Sequence, residues 1–289
     1  MQKKIKYYLE YTLLIFYFYF SKIIGIRLSS LFGGIILFIF GKFSSKSKLA
    51  LININKVFPN LSVKKKKAII SKMWFHFGRI MGEYPHLDKI NIEKNKNQVK
   101  VYNASNFKNS CKNNDNCIFF SAHIGNWELT SHPITQSGNS MWFIYRAPNN
   151  YLVDNLLSKI RIKYGVNLIK KGSEGARQCI RVLKTKKQNL GMLIDQKMND
   201  GIKSNFFGYK VMTASAIAKF SIKFKCPIIP VLCIRTKGVN FNITYFPEIP
   251  YSHILKLKTE ECIMNYLNTY VEKWIKDNPE QWMWAHNRW

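Results

Sequence analysis

From Cys117 onward the chain alternates short apolar runs with stretches of helical periodicity, and that alternation leaves few architectures open. Residues 117–121, 141–145, 190–194, 228–234 and 241–245 are short and rich in β-branched and aromatic side chains, so they read as buried strands. Residues 127–135, 152–164, 174–184, 213–224 and 259–276 instead repeat apolar positions at helical spacing. The order predicts an α/β fold: a central mixed, largely parallel sheet flanked by helices. Upstream, 46–92 reads as helices. Asn60-Leu61-Ser62 supplies a stop and an N-cap, and Pro85 ends the pattern that begins at Val63. The polar stretch 91–116 reads as a connection around Val99-Lys100-Val101-Tyr102. No internal repeat is visible.

Residues 1–45 differ in kind. Lys3, Lys4 and Lys6 precede the aromatic run 11–20, Ser21-Lys22 interrupts it, and 28–40 forms a second apolar stretch. Neither uncharged run alone reaches the roughly 20 residues needed to cross a bilayer. Residues 7–26 span if Glu10 and Lys22 snorkel; the alternatives are a helix in the interface or a hairpin dipping into one leaflet. The segment reads as a membrane anchor of open topology, with 46–289 as the body. Lysines on both sides leave the positive-inside rule without a direction, and no small-residue cleavage site follows the apolar run.

Lys and Arg number 45 against 16 acidic residues, a formal net charge of +29. Such an excess suits anionic partners, whether nucleic acid, phospholipid or an acidic carrier; a Lys- and Asn-rich codon bias explains it equally well. No RNA-binding signature, zinc-finger spacing or helix-turn-helix pattern favours nucleic acid. The six cysteines include no C-x-x-C pair and read as reduced core thiols. The histidines show no metal-ligand spacing, so no metal is expected.

The densest chemistry lies at Ser121-Ala122-His123-Ile124-Gly125-Asn126-Trp127-Glu128, directly after the first buried strand. In one unbroken helix His123 and Glu128 would differ by about 140° and never meet. With His123 in a strand-to-helix turn, and Glu128 a turn inside the helix, imidazole and carboxylate are expected to converge as a general-base pair. Taken alone, H-x4-E is more often a turn histidine and a surface acid. Other strand ends add polar groups: Tyr145-Arg146-Ala147-Pro148-Asn149-Asn150, then Asp154 and Arg161 two turns apart on one helix face, then Asp195-Gln196-Lys197 followed by a turn at Asn199-Asp200-Gly201. Thr213 reads as an N-cap after Phe206-Phe207-Gly208. Sites in such sheets lie beyond the carboxyl ends of strands, where His123 falls.

In this order these segments resemble the bacterial lipid A biosynthesis acyltransferases, the late lauroyl/myristoyl transferases of the glycerolipid acyltransferase superfamily. Asn53-Ile-Asn-Lys-Val-Phe-Pro59, Gly78-Arg-Ile-Met-Gly-Glu83-Tyr and Pro279-Glu-Gln-Trp-Met-Trp-Ala-His286 extend the likeness over nearly the whole chain. Tyr151 departs from it, standing where the family often has proline. The resemblance implies a membrane-anchored acyltransferase domain over 46–289, on the cytoplasmic face of the inner membrane. It would move a fatty acyl chain from an acyl carrier protein thioester to a hydroxyl of an anionic lipid A precursor, with no cofactor. A related acceptor (phospholipid, ornithine lipid or glycosylated lipid) is the alternative. His123, Glu128, Arg161 and Asp195 are the implied catalytic residues, Arg161 as cationic donor and Asp195 as its partner or a substrate-orienting group. Arg146, Asn126, Asn149, Thr213 and Phe207 are the implied substrate-binding ones. Arg146 would instead bind an acceptor phosphate bidentately, with the roles of the two arginines left open. Leu193, Phe206 and Phe207 suit an acyl channel or plain core equally.

Overall fold

The computed structural model describes residues 2–289. Among the described residues nine strands form: β1 (Val99–Tyr102), β2 (Ile118–Ser121), β3 (Ser140–Tyr145), β4 (Val166–Lys170), β5 (Gln188–Leu193), β6 (Lys197–Phe206), β7 (Tyr209–Thr213), β8 (Ile228–Arg235) and β9 (Phe241–Tyr245). Seven of them make one sheet in the order β1-β9-β8-β2-β5-β3-β4. Every neighbouring pair is parallel except β8–β9, so the sheet is mixed and mostly parallel, as the alternation implies. The helices are α1 (Gln2–Phe40), α2 (Ser45–Val57), α3 (Val63–Glu83), α4 (Ala104–Asn113), α5 (His132–Gln136), α6 (Tyr151–Lys163), α7 (Ser173–Lys184), α8 (Ala216–Phe224), α9 (Tyr251–Lys256) and α10 (Glu260–Asp277).

Central strand β2 is buried on both faces, as a strand between two helical layers must be. Ile118 and Phe120 enter one apolar core with α3, α7, α8 and α10. Phe119 enters the other, with residues of α4, α5 and α6. Ser62 caps α3 by accepting from the Lys65 amide, as its position before the helix suggests.

Four expectations change. The helix expected over 127–135 is a tight 3-10 turn at Trp127–Ser131 followed by the five-residue α5, because Pro133 sits in its first turn. Residues 91–116 are not mere connection, since they hold edge strand β1 and α4. The turn expected at Asn199-Asp200-Gly201 lies inside β6, at a register break between Lys197 and Ile202 in an antiparallel hairpin with β7. Thr213 ends β7 and caps nothing; α8 begins at Ala216. The N-terminal segment is one helical element interrupted at Gly25, whose φ of 78° and ψ of 164° only glycine adopts without strain.

Candidate active site

Strands β2 and β5 are parallel neighbours with Ser121 opposite Leu193. Two residues beyond that pair, at the carboxyl edge, stand His123 and Asp195, so the sheet register itself brings them together. His123 Nδ1 donates to Asp195 Oδ1 at 2.8 Å, and the His123 amide donates to Oδ2 at 2.9 Å. The indole N–H of Trp282 adds a third bond to Oδ2 at 2.8 Å. Burial alone would raise the Asp195 pKa. The His123 charge and bond, then His286 and Trp282, outweigh it and hold the carboxyl well below the usual range. An ionised Asp195 fixes the proton of His123 on Nδ1, leaving Nε2 as the basic nitrogen. The His123 side chain keeps 18% of its surface exposed, and its Nε2 lies 3.4 Å from the exposed Gln196 amide nitrogen.

Glu128 does not take part in that pair. Its carboxylate accepts from Arg161 Nε at 3.0 Å, from Arg161 Nη2, and from the Tyr164 hydroxyl at 2.9 Å. The expected convergence of His123 and Glu128 fails because the chain after Gly125 makes a 3-10 turn, not an α-helix. Glu128 then faces α6, and no hydrogen bond joins it to His123 among the described residues. Burial pushes the Glu128 pKa up, but the Arg161 charge and the bonds from Arg161 and Tyr164 bring it below normal; Arg161 is raised in return. The Arg161 guanidinium lies over the rings of Tyr84 and Tyr145 at 5.7 and 5.5 Å. The expected shared face of Asp154 and Arg161 is real in one respect. Both reach Tyr145, Arg161 through its ring and Asp154 through its hydroxyl at 3.0 Å, while Asp154 also pairs with Lys170. A cavity of about 40 Å³ opens between Trp127, Glu128, Tyr145, Arg161, Tyr164 and Leu193. Trp127 is shared, its ring lying 5.1 Å from that of His123. A space of that size holds a water or two, not a fatty chain.

The turn carrying His123 is clamped from two sides. The C-terminal segment runs antiparallel beneath it: Gly125 N donates to Gln281 O at 3.1 Å and Met283 N to His123 O at 3.2 Å. Asn53 holds that segment by donating to the carbonyls of Trp284 and His286, both at 2.8 Å. On the other side α3 supplies His76, whose Nε2 donates to Gly125 O at 3.2 Å, and Glu83, which accepts from Asn126 Nδ2 at 2.8 Å. Buried Arg235 forks onto Glu83 and reaches His76 Nδ1 at 3.3 Å. Gly125 has φ +55°, and a Cβ there would sit 1.6 Å from the Cys233 carbonyl, so only glycine fits.

The other expected residues scatter. Arg146 and Asn149 are exposed beyond β3, while Asn126 is fully buried on Glu83 and faces no open site. Thr213 is fully buried between Ser204 and Arg288, at 2.7 and 2.9 Å, and so is a core hydroxyl rather than a substrate contact. Phe207 sits in the hairpin turn, its amide donating to Glu272 on α10. Trp282, Asn53 and Glu83 lie in the motifs quoted above, yet their duties are invisible without the fold. Arg235 carried one signal, a lone cation closing an apolar strand run. Among the described residues no cluster of three or more His, Cys, Asp or Glu could hold a metal ion.

Against known proteins, a family model described as bacterial lipid A biosynthesis acyltransferase matches residues 2–289. A search of curated proteins gave no match.

Proposed function

The chain belongs to the bacterial lipid A biosynthesis acyltransferase family, an enzyme family, and from that premise we propose that it transfers a fatty acyl chain from an acyl carrier protein thioester to a hydroxyl of a lipid A precursor. The observation that carries the mechanism is the His123–Asp195 pair at the carboxyl edge of the sheet. His123 Nε2 takes the proton of the acceptor hydroxyl as its oxygen attacks the thioester carbonyl. The tetrahedral intermediate collapses with cleavage of the carbon–sulfur bond, and His123 returns the proton to the departing thiolate. Asp195 holds the ring and stabilises the imidazolium between those steps.

Gln196, beside Nε2, offers a side-chain donor to the acceptor or the oxyanion. The Glu128–Arg161 pair lies one layer below, lining with Trp127 the small cavity behind the ring that packs on His123. Arg161 spends two of its donors on Glu128, which makes exposed Arg146 the better cation for an acceptor phosphate. The charge of +29 suits both an acidic carrier protein and a phosphorylated lipid, and the apolar N-terminal helix suits attachment to the inner membrane with the body in the cytoplasm.

The test is acylation of a lipid A precursor from acyl carrier protein, read by mass spectrometry. The wild type adds one acyl chain, and His123→Ala adds none while remaining folded. Acylation of a phospholipid or ornithine lipid in preference to the precursor would move the acceptor; full activity of His123→Ala would overturn the mechanism.

A further inference from the structure

The N-terminal helix leaves most of its apolar surface uncovered. Apart from Phe18, which stacks on Tyr84, its buried residues are small: Ser21, Ser29, Ser30, Gly33 and Gly34. Its large apolar side chains face outward: Leu13, Phe16 and Ile23 are 62%, 74% and 83% exposed, and Leu31 and Ile35 continue the face after the bend. A water-exposed helix would show the opposite arrangement.

The helix also folds back on itself. A Cβ on Gly33 would lie 2.8 Å from the Tyr17 hydroxyl. Sixteen residues of straight helix would put those positions about 24 Å apart, so the chain reverses at Gly25. Both arms are fastened to the body. On the first, Asn150 Nδ2 donates to Tyr7 O at 2.9 Å and to Glu10 at 3.0 Å, while His86 Nε2 donates to Ser21 O at 3.1 Å. The second meets α3 backbone to backbone, through Gly33 on Gly78 and Ser29 on Gly82. Spanning then becomes difficult. The first arm touches the body near both of its ends, so it lies along the domain instead of leaving it. The second arm, residues 26–40, is about 22 Å long, short of the roughly 30 Å hydrocarbon core. Exposed cations mark three points: Lys3, Lys4 and Lys6 at the start, Lys22 and Arg27 at the bend, and Lys42 at the end. A bend carrying two charges is costly at the bilayer centre and favourable among phosphates.

We propose that residues 2–43 form a monotopic hairpin lying flat in one leaflet, its apolar face among the acyl chains and its three cationic points on anionic headgroups, with the N-terminus and the catalytic body on the same side. This goes beyond the acyl-transfer reading and stands or falls without it, because the tests read topology and depth, not turnover.

Cys262 is exposed, and the other five cysteines are buried. The native Cys262 therefore reports the side of the body, and Lys4→Cys in a Cys262→Ser chain reports the side of the N-terminus. With a membrane-impermeant maleimide on sealed vesicles of either orientation, both label from the same face; labelling from opposite faces overturns the proposal. Nitroxides at Leu13→Cys and Leu31→Cys, in vesicles of phosphatidylethanolamine with a minority of phosphatidylglycerol, should both sit about 5–10 Å deep. A gradient reaching the bilayer centre overturns the flat arrangement. So does a disulfide-linked dimer through Leu13→Cys, which would make a second copy the occupant of this face. Lys22→Glu with Arg27→Glu should weaken binding to the anionic vesicles about tenfold or more and leave phosphatidylcholine vesicles nearly unaffected. Equal loss on both would remove the headgroups from the proposal.

Discussion

The Asp195 carboxylate accepts both the side-chain and the main-chain N–H of His123, at 2.8 and 2.9 Å, so one acid fixes the ring and the backbone that carries it. Two bonds from one residue leave little freedom in ring position, and the third, from Trp282, ties the acid to the C-terminal segment. Asp195→Asn retains the shape but exchanges an ionised acceptor for an amide that can donate from one side. We expect kcat for acyl transfer to fall by about 10²–10⁴-fold with little change in KM for the acceptor. A loss confined to KM would assign Asp195 to binding instead.

Glu128 and Arg161 are expected to behave as structure. Removing one partner strands the other as a buried charge, at about 3–5 kcal/mol, and replacing both with apolar residues recovers much of that. Glu128→Gln should therefore lower the melting temperature in detergent clearly, and Glu128→Leu with Arg161→Met should lower it less than the two single changes added together. Additive losses would show that the pair does not act as a unit. Activity should follow the folded fraction in this series, which sets it apart from Asp195→Asn.

The sheet is legible in the sequence because five strands carry dense β-branched and aromatic runs, and His123 stands out as a candidate because the turn after such a strand is where sites form. Strands β4 and β6 are not legible there. Val166–Lys170 is a five-residue edge strand of mixed polarity, and Lys197–Phe206 is a hairpin strand written mostly in polar residues. The partner of His123 is hidden in the sequence for a related reason. Proximity in sequence favoured Glu128, whereas strand register, which no local pattern encodes, brings Asp195 from 72 positions away. Thr213 and Asn126 illustrate the converse: polar residues near a motif that the fold turns inward to satisfy buried partners.

Trp282 is fully buried, and its N–H is the part that touches Asp195. Trp282→Phe keeps an aromatic ring against Phe206 and Trp284 while deleting that donor. A hydrogen bond to a charged group contributes about 1.5–3 kcal/mol. We expect kcat to drop by roughly 10- to 100-fold if the bond serves the acid, measured beside thermal unfolding of the same variant. Unchanged turnover with lowered stability would make Trp282 a packing residue only.

Buried His76 is held neutral, its pKa lowered to about 3 first by burial and then by the Arg235 charge. The unfolded chain protonates this residue near pH 6.5, so between about 6.5 and 3 the unfolded state binds the extra proton. Its contribution to stability is thus full above pH 6.5 and declines as pH falls toward 3. The slope expected from this group is about 1.4 kcal/mol per pH unit within that window. His76→Gln, which can still donate to Gly125, should flatten the acid limb of a stability-versus-pH curve by about that amount. An unaltered limb would place the acid sensitivity in other groups.

Gly78 tests how closely the hairpin must sit on the body. A Cβ there would fall 2.0 Å from the Gly33 carbonyl oxygen and 2.9 Å from the Gly34 Cα, both backbone, so α1 and α3 must separate to admit it. At Gly34 the obstructing atoms belong to the side chains of Arg79 and Phe75, at 2.8 Å, and these can move. Overpacking a closed contact costs about 1–3 kcal/mol, and the cost should concentrate where backbone blocks backbone. Gly78→Ala is therefore expected to lower the melting temperature in detergent and to expose the 25–45 region to proteolysis, whereas Gly34→Ala should do neither to the same extent. The consequence reaches the active site, because Glu83 binds Ser30 of the hairpin at 2.7 Å and Asn126 of the catalytic turn at 2.8 Å. Loosening the hairpin should lower kcat through that single carboxylate, and Gly78→Ala with unimpaired turnover would show that Arg235 positions Glu83 without help from the hairpin.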